Sequence, residues 1–424
     1  MKLNYKRTFF IGLAFMSICA FWQLYDNVIP LILVNTFGID EVRTGAIMGI
    51  DNILALFLLP FIGTLSDKVH TKLGKRTPFI VVGTFLAVTL MILIPYADNT
   101  KNFLLFFISL GLVLIAMACY RSPAVALMPD LTPKPLRSKA NAVINLMGTL
   151  GGIFTLIMIN LLIPKHVIKP NYMPVYIAIA ALMVLAVIIL LISVPENKLA
   201  KEVALNNKEE TSTKDEVKSN VLPKDVKRSL IFLLLSVFLW FTAYNAVTTA
   251  FSRYAAKVWG FTGGSFATPL LVATGAATIS YIPIGFISSK FGRKKTVIGG
   301  IVLMTLSYLS GFLCTTYSPI IYVIFAFTGI GWAAINVNSY PMVVDMSHGA
   351  DVGKYTGIYY TFSMLAQTIT PILSGVLLKV SYRTLFPYAL VFSILSLCTM
   401  LFVKHGNSKP EMKKTAMENF DFDD

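Results

Sequence analysis

Charge is scarce in this chain. Asp, Glu, Lys and Arg make up only 13% of its 424 residues, about half the share of a soluble domain. That scarcity excludes an ordinary water-soluble fold. Cysteine is sparse as well. Its four copies, Cys19, Cys119, Cys314 and Cys398, all fall inside apolar stretches, which argues against a disulfide framework or a metal cluster. No nucleophile–base pair stands out, so neither an enzyme nor a bound cofactor is expected. A cleavable leader is not expected either, because the first apolar run (8–34) is too long for an h-region and lacks a small-residue cleavage site.

What the chain has instead is hydrocarbon. Hydrophobic residues reach 56% and the mean hydropathy is +0.71. Twelve apolar segments follow one another, at 8–34, 44–66, 77–97, 103–128, 140–163, 173–194, 230–252, 266–288, 296–316, 319–341, 356–378 and 385–403. Each can cross about 30 Å of hydrocarbon as a helix. Between the sixth and seventh lies a charge-dense stretch without an apolar face, read as a solvated linker. The expected organisation is a six-helix bundle over 1–194, a charged linker over 195–229, a second six-helix bundle over 230–404 and a tail over 405–424. Most of the 36 Lys and Arg fall on one side if both termini are cytoplasmic, so the positive-inside rule predicts that orientation in a cell membrane. The net charge of +15 is then a matter of loop topology and not a nucleic-acid footprint.

Two stretches echo each other. "GTLSDKVHTKLGKRTPF" (63–79) follows the second segment, and "GFISSKFGRKKT" (285–296) follows the eighth. "YRSPAVALMPDLTPKPLRSKANA" (120–142) and "NSYPMVVDMSHGADVGKYTGI" (338–358) form a second pair. In each of these a Pro and an Asp (Asp130, Asp345) end one segment and a basic residue (Arg137, Lys354) opens the next. Repeats at this offset signal two similar halves.

At Gly63, Asp67, Lys68, Gly74, Lys75 and Arg76 the sequence resembles the loop signature of the major facilitator superfamily. Its longer spacing before the second Gly is similar to the plant sucrose transporters and the glycoside–pentoside–hexuronide symporters. The resemblance implies an all-α membrane fold of twelve helices in two pseudo-symmetric bundles, with segments 1, 4, 7 and 10 lining a central cavity. It also implies that Asp67 meets the start of the eleventh segment near Lys354. A helix dipole would hold the carboxylate there, as a cytoplasmic latch between the halves. Lys75 and Arg76 would pair with Asp67 or with lipid phosphate. The acidic pair that sodium-coupled relatives carry in the second segment is replaced here by Ala55 and Leu59, so sodium coupling is not expected. "GTLGG" (148–152) lacks the proline of drug antiporters.

Ionisable residues inside spans are functional candidates by default. Asp26, Asp51 and Arg121 are the three identified, with Asp26 roughly 10 Å below the outer end of its segment. Arg121 is expected to pair with Asp26 or Asp51, and Asp26 and Arg121 are expected to serve proton coupling and, with Gln23 and Asn27, to meet substrate hydroxyls. Asp51 is read either as a second proton site or as a structural contact. The neutral sugar-binding candidates are Trp240, Tyr244 and Asn245 on the seventh segment and Trp332, Asn336 and Tyr340 on the tenth, where aromatic faces and amides suit a glycoside. Tyr359, Tyr360 and Gln367 come second. The resulting expectation is a monomeric, proton-coupled importer of a disaccharide or glucoside. The alternatives are an uncoupled sugar facilitator, an exporter of drugs or metabolites, and a non-transporting sensor.

Overall fold

The computed structural model describes residues 3–133, 136–164, 167, 169–209, 223–346 and 352–406. Thirteen α-helices run through them: α1 (Tyr5–Asn35), α2 (Glu41–Lys68), α3 (Thr77–Asn99), α4 (Phe103–Asp130), α5 (Arg137–Leu162), α6 (Met173–Ser193), α7 (Glu196–Glu209), α8 (Lys224–Val258), α9 (Ala267–Phe291), α10 (Arg293–Leu313), α11 (Ile320–Met346), α12 (Val352–Val380) and α13 (Leu385–Leu401). Twelve are long and apolar enough to cross a membrane. The short, charged α7 lies in the stretch read as a linker. The seventh to twelfth apolar segments are therefore α8 to α13. A chain this apolar must satisfy its backbone within each segment, and the helix does so without water.

Local chemistry sets the helix ends. Asn4, Asp40 and Asn102 cap α1, α2 and α4 by accepting from backbone N–H groups in the first turn. Gly292, at φ +93°, turns the chain between α9 and α10. In the N-terminal half α1 packs on α5 and α6, and α4 on α2 and α3; in the C-terminal half α11 packs on α9 and α10, and α8 on α12 and α13. Contacts between α2 and α12, α5 and α9, and α1 and α8 join the two halves.

Among the described residues, the joints bring backbones together at the end where α2 begins. A Cβ on Gly45 would stand 2.0 Å from the Pro371 carbonyl oxygen, and one on Gly264 would stand 2.1 Å from that of Ile159. Only glycine permits backbones to approach so closely.

Candidate functional site

Two adjoining cavities lie between the halves, sharing Phe15 and Cys19 of α1 as a common wall. The first, about 190 Å³, is lined by Gln23 (α1), Asn145 and Thr149 (α5), Tyr244 (α8), Tyr281 (α9) and Trp332 and Asn336 (α11), among others. Among the described residues, none of those lining it is Asp, Glu, Lys, Arg or His. Tyr244 stacks on Trp332 with ring centroids 5.5 Å apart, and Tyr281 meets the same indole edge-on at 6.2 Å. The result is an aromatic wall beside amides, able to stack on the apolar face of a neutral ring and to exchange hydrogen bonds with hydroxyls.

The second cavity, about 290 Å³, holds the charge. Asp26 (α1), Asp51 and Asn52 (α2), Arg121 (α4), Asn245 (α8) and Gln367 (α12) all line it. The Asp51 carboxylate accepts from the Asn52 amide at 2.9 Å and has the Arg121 charge and the Asp26 carboxylate as electrostatic neighbours. Arg121 itself stands 5.9 Å from the centroid of the Trp22 ring. Three buried donors around the two cavities, Trp22 Nε1, Asn245 Nδ2 and Trp332 Nε1, lack an acceptor among the described residues. Each such donor costs about 1–3 kcal/mol while unsatisfied, so a ligand bearing acceptor oxygens relieves them.

Asp51, one of the two acids expected beside Arg121, lines the charged cavity together with Arg121 and Asp26. Asn27, Trp240 and Tyr340 are absent from the described linings of both cavities. Asn27 is buried and its amide donates to the Gln23 carbonyl at 2.8 Å. Trp240 is fully buried and stacked at 4.0 Å on Phe241, which lines the second cavity. Tyr340 packs against Tyr359 and Tyr360.

At the end carrying residues 63–77 the repeated motif resolves into matching ion pairs. Arg76, nearly buried, donates to Asp67, Ser66 and, through Nε at 2.8 Å, Asp130; Lys75 adds a 3.0 Å contact to Asp130. In the other half Arg293 pairs with Asp345, so the echoed sequences make matching bonds between an arginine at the start of one helix and an aspartate in the last turn of another. Ser289, at the position of Asp67, turns back to the Phe286 carbonyl at 2.8 Å. Gly63 offers its carbonyl to Arg76 at 3.3 Å, and Lys68 is exposed in the last turn of α2. Asp67 thus bonds within its own half, to Arg76. The side chains of Arg137 and Lys354, and with them the expected contact at the start of α12, lie outside the described residues.

Two features escaped the sequence reading. Glu196, in the charged linker, accepts from the backbone N–H groups of Lys75, Arg76 and Thr77 at 2.8–3.2 Å and from the Thr77 hydroxyl at 2.7 Å, capping α3 from outside. Gly74 is required beside it, since its φ is +124° and a Cβ would fall 2.2 Å from the Glu196 carboxylate. At the opposite end Arg253 Nη1 donates to Glu41 at 2.7 Å, and the Tyr382 hydroxyl donates to the same carboxylate. That pair is buried and joins the two halves.

The chain matches the family model described as MFS/sugar transport protein over residues 10–381. It is 30% identical over 139 residues to sucrose transport protein SUC3 of Arabidopsis thaliana, a match spanning 28% of this chain and 23% of the plant protein. Among solved structures it is similar to the outward conformation of FucP (14% identity, 95% of this chain and 100% of that chain, TM-score 0.54), to the nucleoside transporter NupG (15%, 95% and 100%, 0.65) and to an inward-facing bacterial homologue of ferroportin (12%, 94% and 99%, 0.63). At these identities the structural likeness establishes the fold alone. The matches are to membrane transporters rather than enzymes. With the family model covering nearly the whole chain, this protein belongs to the MFS/sugar transport family.

Proposed function

We propose that the protein imports a neutral sugar, a disaccharide or glucoside, together with a proton by alternating access. The observation that carries the reading is the division between the two cavities: among the described residues, one is aromatic and free of Asp, Glu, Lys, Arg and His, and the other holds two carboxylates and one guanidinium. The sugar occupies the first, stacked on Trp332 and Tyr244 and hydrogen-bonded by Gln23, Asn145 and Asn336. The plant relative's name, a sucrose transport protein, supports the substrate class.

Charge counting supports the coupling. With both Asp26 and Asp51 ionised, the second cavity carries one uncompensated negative charge against Arg121. Burying it away from water is costly. One proton makes the set neutral, so the loaded cavity can pass through the closed state at lower cost than the empty one. The halves 1–194 and 230–404 then rock about the site, joined by the linker 195–229, with one chain sufficient for the cycle. The basic end faces the cytoplasm of a cell membrane by the positive-inside rule, as does the tail from 405. The closed Glu41 end faces outward. When that end opens, Asp67 latches the opposite end against the start of α12.

The test is uptake of a radiolabelled sugar panel into vesicles with and without an imposed pH gradient. Gradient-driven accumulation of one neutral sugar is expected. Equilibration without accumulation would make the protein a facilitator, and gradient-driven extrusion would make it an exporter.

A further inference from the structure

We infer that the pocket between the start of α8 and the end of α13 binds the headgroup of an anionic phospholipid, phosphatidylglycerol in type. The pocket encloses about 430 Å³ and is lined by Asp225, Arg228, Ser229, Phe232, Phe402, Lys404 and His405. It lies apart from both central cavities, and its volume falls in the range of about 300–1,000 Å³ typical of small-ligand sites.

Its wall is ordered and its chemistry is divided. Ser229 bonds His405 Nδ1 at 2.8 Å and accepts from the Lys404 backbone N–H at 3.1 Å, which fixes the chain after α13 against α8. Phe232 and Phe402 stack at 5.2 Å, with the Arg228 guanidinium 5.8 Å from the Phe232 ring. Exposed Ile231, Leu235 and Leu401 flank these rings on the hydrocarbon side, while Arg228 and Lys404 are exposed above them. Cations over an exposed apolar flank, at the end of two spanning helices, match a lipid whose phosphate sits among the cations and whose chains run down the flank.

Asp225 narrows the headgroup. It is the one acid among the described lining residues and repels a second phosphate charge, but it accepts well from a hydroxyl. A phosphodiester with free hydroxyls, as in phosphatidylglycerol, satisfies both the cations and Asp225. Free phosphate cannot use the apolar flank.

The experiment is native mass spectrometry of the full chain in detergent, titrated with phosphatidylglycerol, phosphatidic acid and phosphatidylcholine of matched acyl chains, with millimolar inorganic phosphate as competitor. Phosphatidylglycerol is expected to bind most tightly, and phosphate is expected not to displace it. The Arg228→Gln/Lys404→Gln pair should lose about thirty-fold in affinity, as two surface cations at a headgroup imply. Asp225→Asn should erase the preference over phosphatidic acid. Lys224→Gln/Lys227→Gln, which removes two exposed cations outside the pocket, should leave affinity within about two-fold. The inference is overturned if the parent shows no preference for phosphatidylglycerol, if phosphate displaces it, or if the two double variants lose affinity equally.

Discussion

Arg253→Gln should open the Glu41 end. Arg253 and Glu41 have side chains only 4% and 6% exposed, and their 2.7 Å bond is a buried ion pair between the halves. Removing one partner of such a pair costs about 3–5 kcal/mol, because the remaining charge stays buried. Tyr382 still donates to Glu41 in the variant, so the lower end of that range applies, about 3 kcal/mol. The penalty falls on the conformation in which this end is closed, since opening it returns Glu41 to water. At about 1.4 kcal/mol per factor of ten, the open population should rise by roughly a hundred-fold. Cys19 lines both cavities and serves as the reporter once Cys119, Cys314 and Cys398 are replaced by serine. A membrane-impermeant maleimide applied from the Glu41 side should label it about a hundred times faster in Arg253→Gln. The charge-reversed pair Glu41→Arg/Arg253→Glu should bring the rate back toward that of the parent. An unchanged labelling rate in Arg253→Gln would refute the assignment of this pair as the bond that holds the end closed.

Asp67→Asn should push the same reporter the other way: Cys19 labelling from the Glu41 side should slow by about five- to thirty-fold, as loss of a partly buried helix-dipole contact implies. Asn336→Ala, which removes a buried amide from the neutral cavity, should weaken sugar binding by about ten-fold in equilibrium titrations while residual uptake stays proton-dependent. Glu196→Ala strips an external cap from three backbone donors at the entry to α3 and should cost about 1–2 kcal/mol, read as a lower midpoint of thermal unfolding in detergent with sugar affinity unchanged.

The spans were legible because each is a continuous apolar run, and a bilayer leaves such a run no other conformation. Asp26, Asp51 and Arg121 were legible for the same reason, as charges that break those runs. How far along a helix a cavity reaches was not. Trp240 and Tyr244 lie one turn apart on α8, yet Tyr244 lines the neutral cavity and Trp240, fully buried, is absent from its described lining. Spacing puts the two on one face but does not fix the depth at which the cavity meets it. Arg253 was missed because α8 continues to Val258, past the apolar run that ends at 252. Glu41 and Glu196 were missed because their partners lie far away in sequence. Glu41 reads as part of a loop until Arg253 and Tyr382 are brought to it, and Glu196 reads as one more linker charge until the turn at Gly74 presents three N–H groups to it.

The most direct test of the central claim is accumulation against counterflow in the same vesicles, for the parent and for Asp26→Asn, Asp51→Asn and the double variant. Asparagine mimics the protonated acid, so it leaves the neutral cavity intact while removing the site that gains and loses the proton. The account predicts that each single variant, which leaves one carboxylate against Arg121 and so mimics the neutral one-proton set, exchanges labelled for unlabelled sugar at a rate within a few-fold of the parent's, yet no longer concentrates sugar under an imposed pH gradient. The double variant, with the Arg121 charge uncompensated, should exchange more slowly than either. Single variants that still concentrate sugar under that gradient would contradict it.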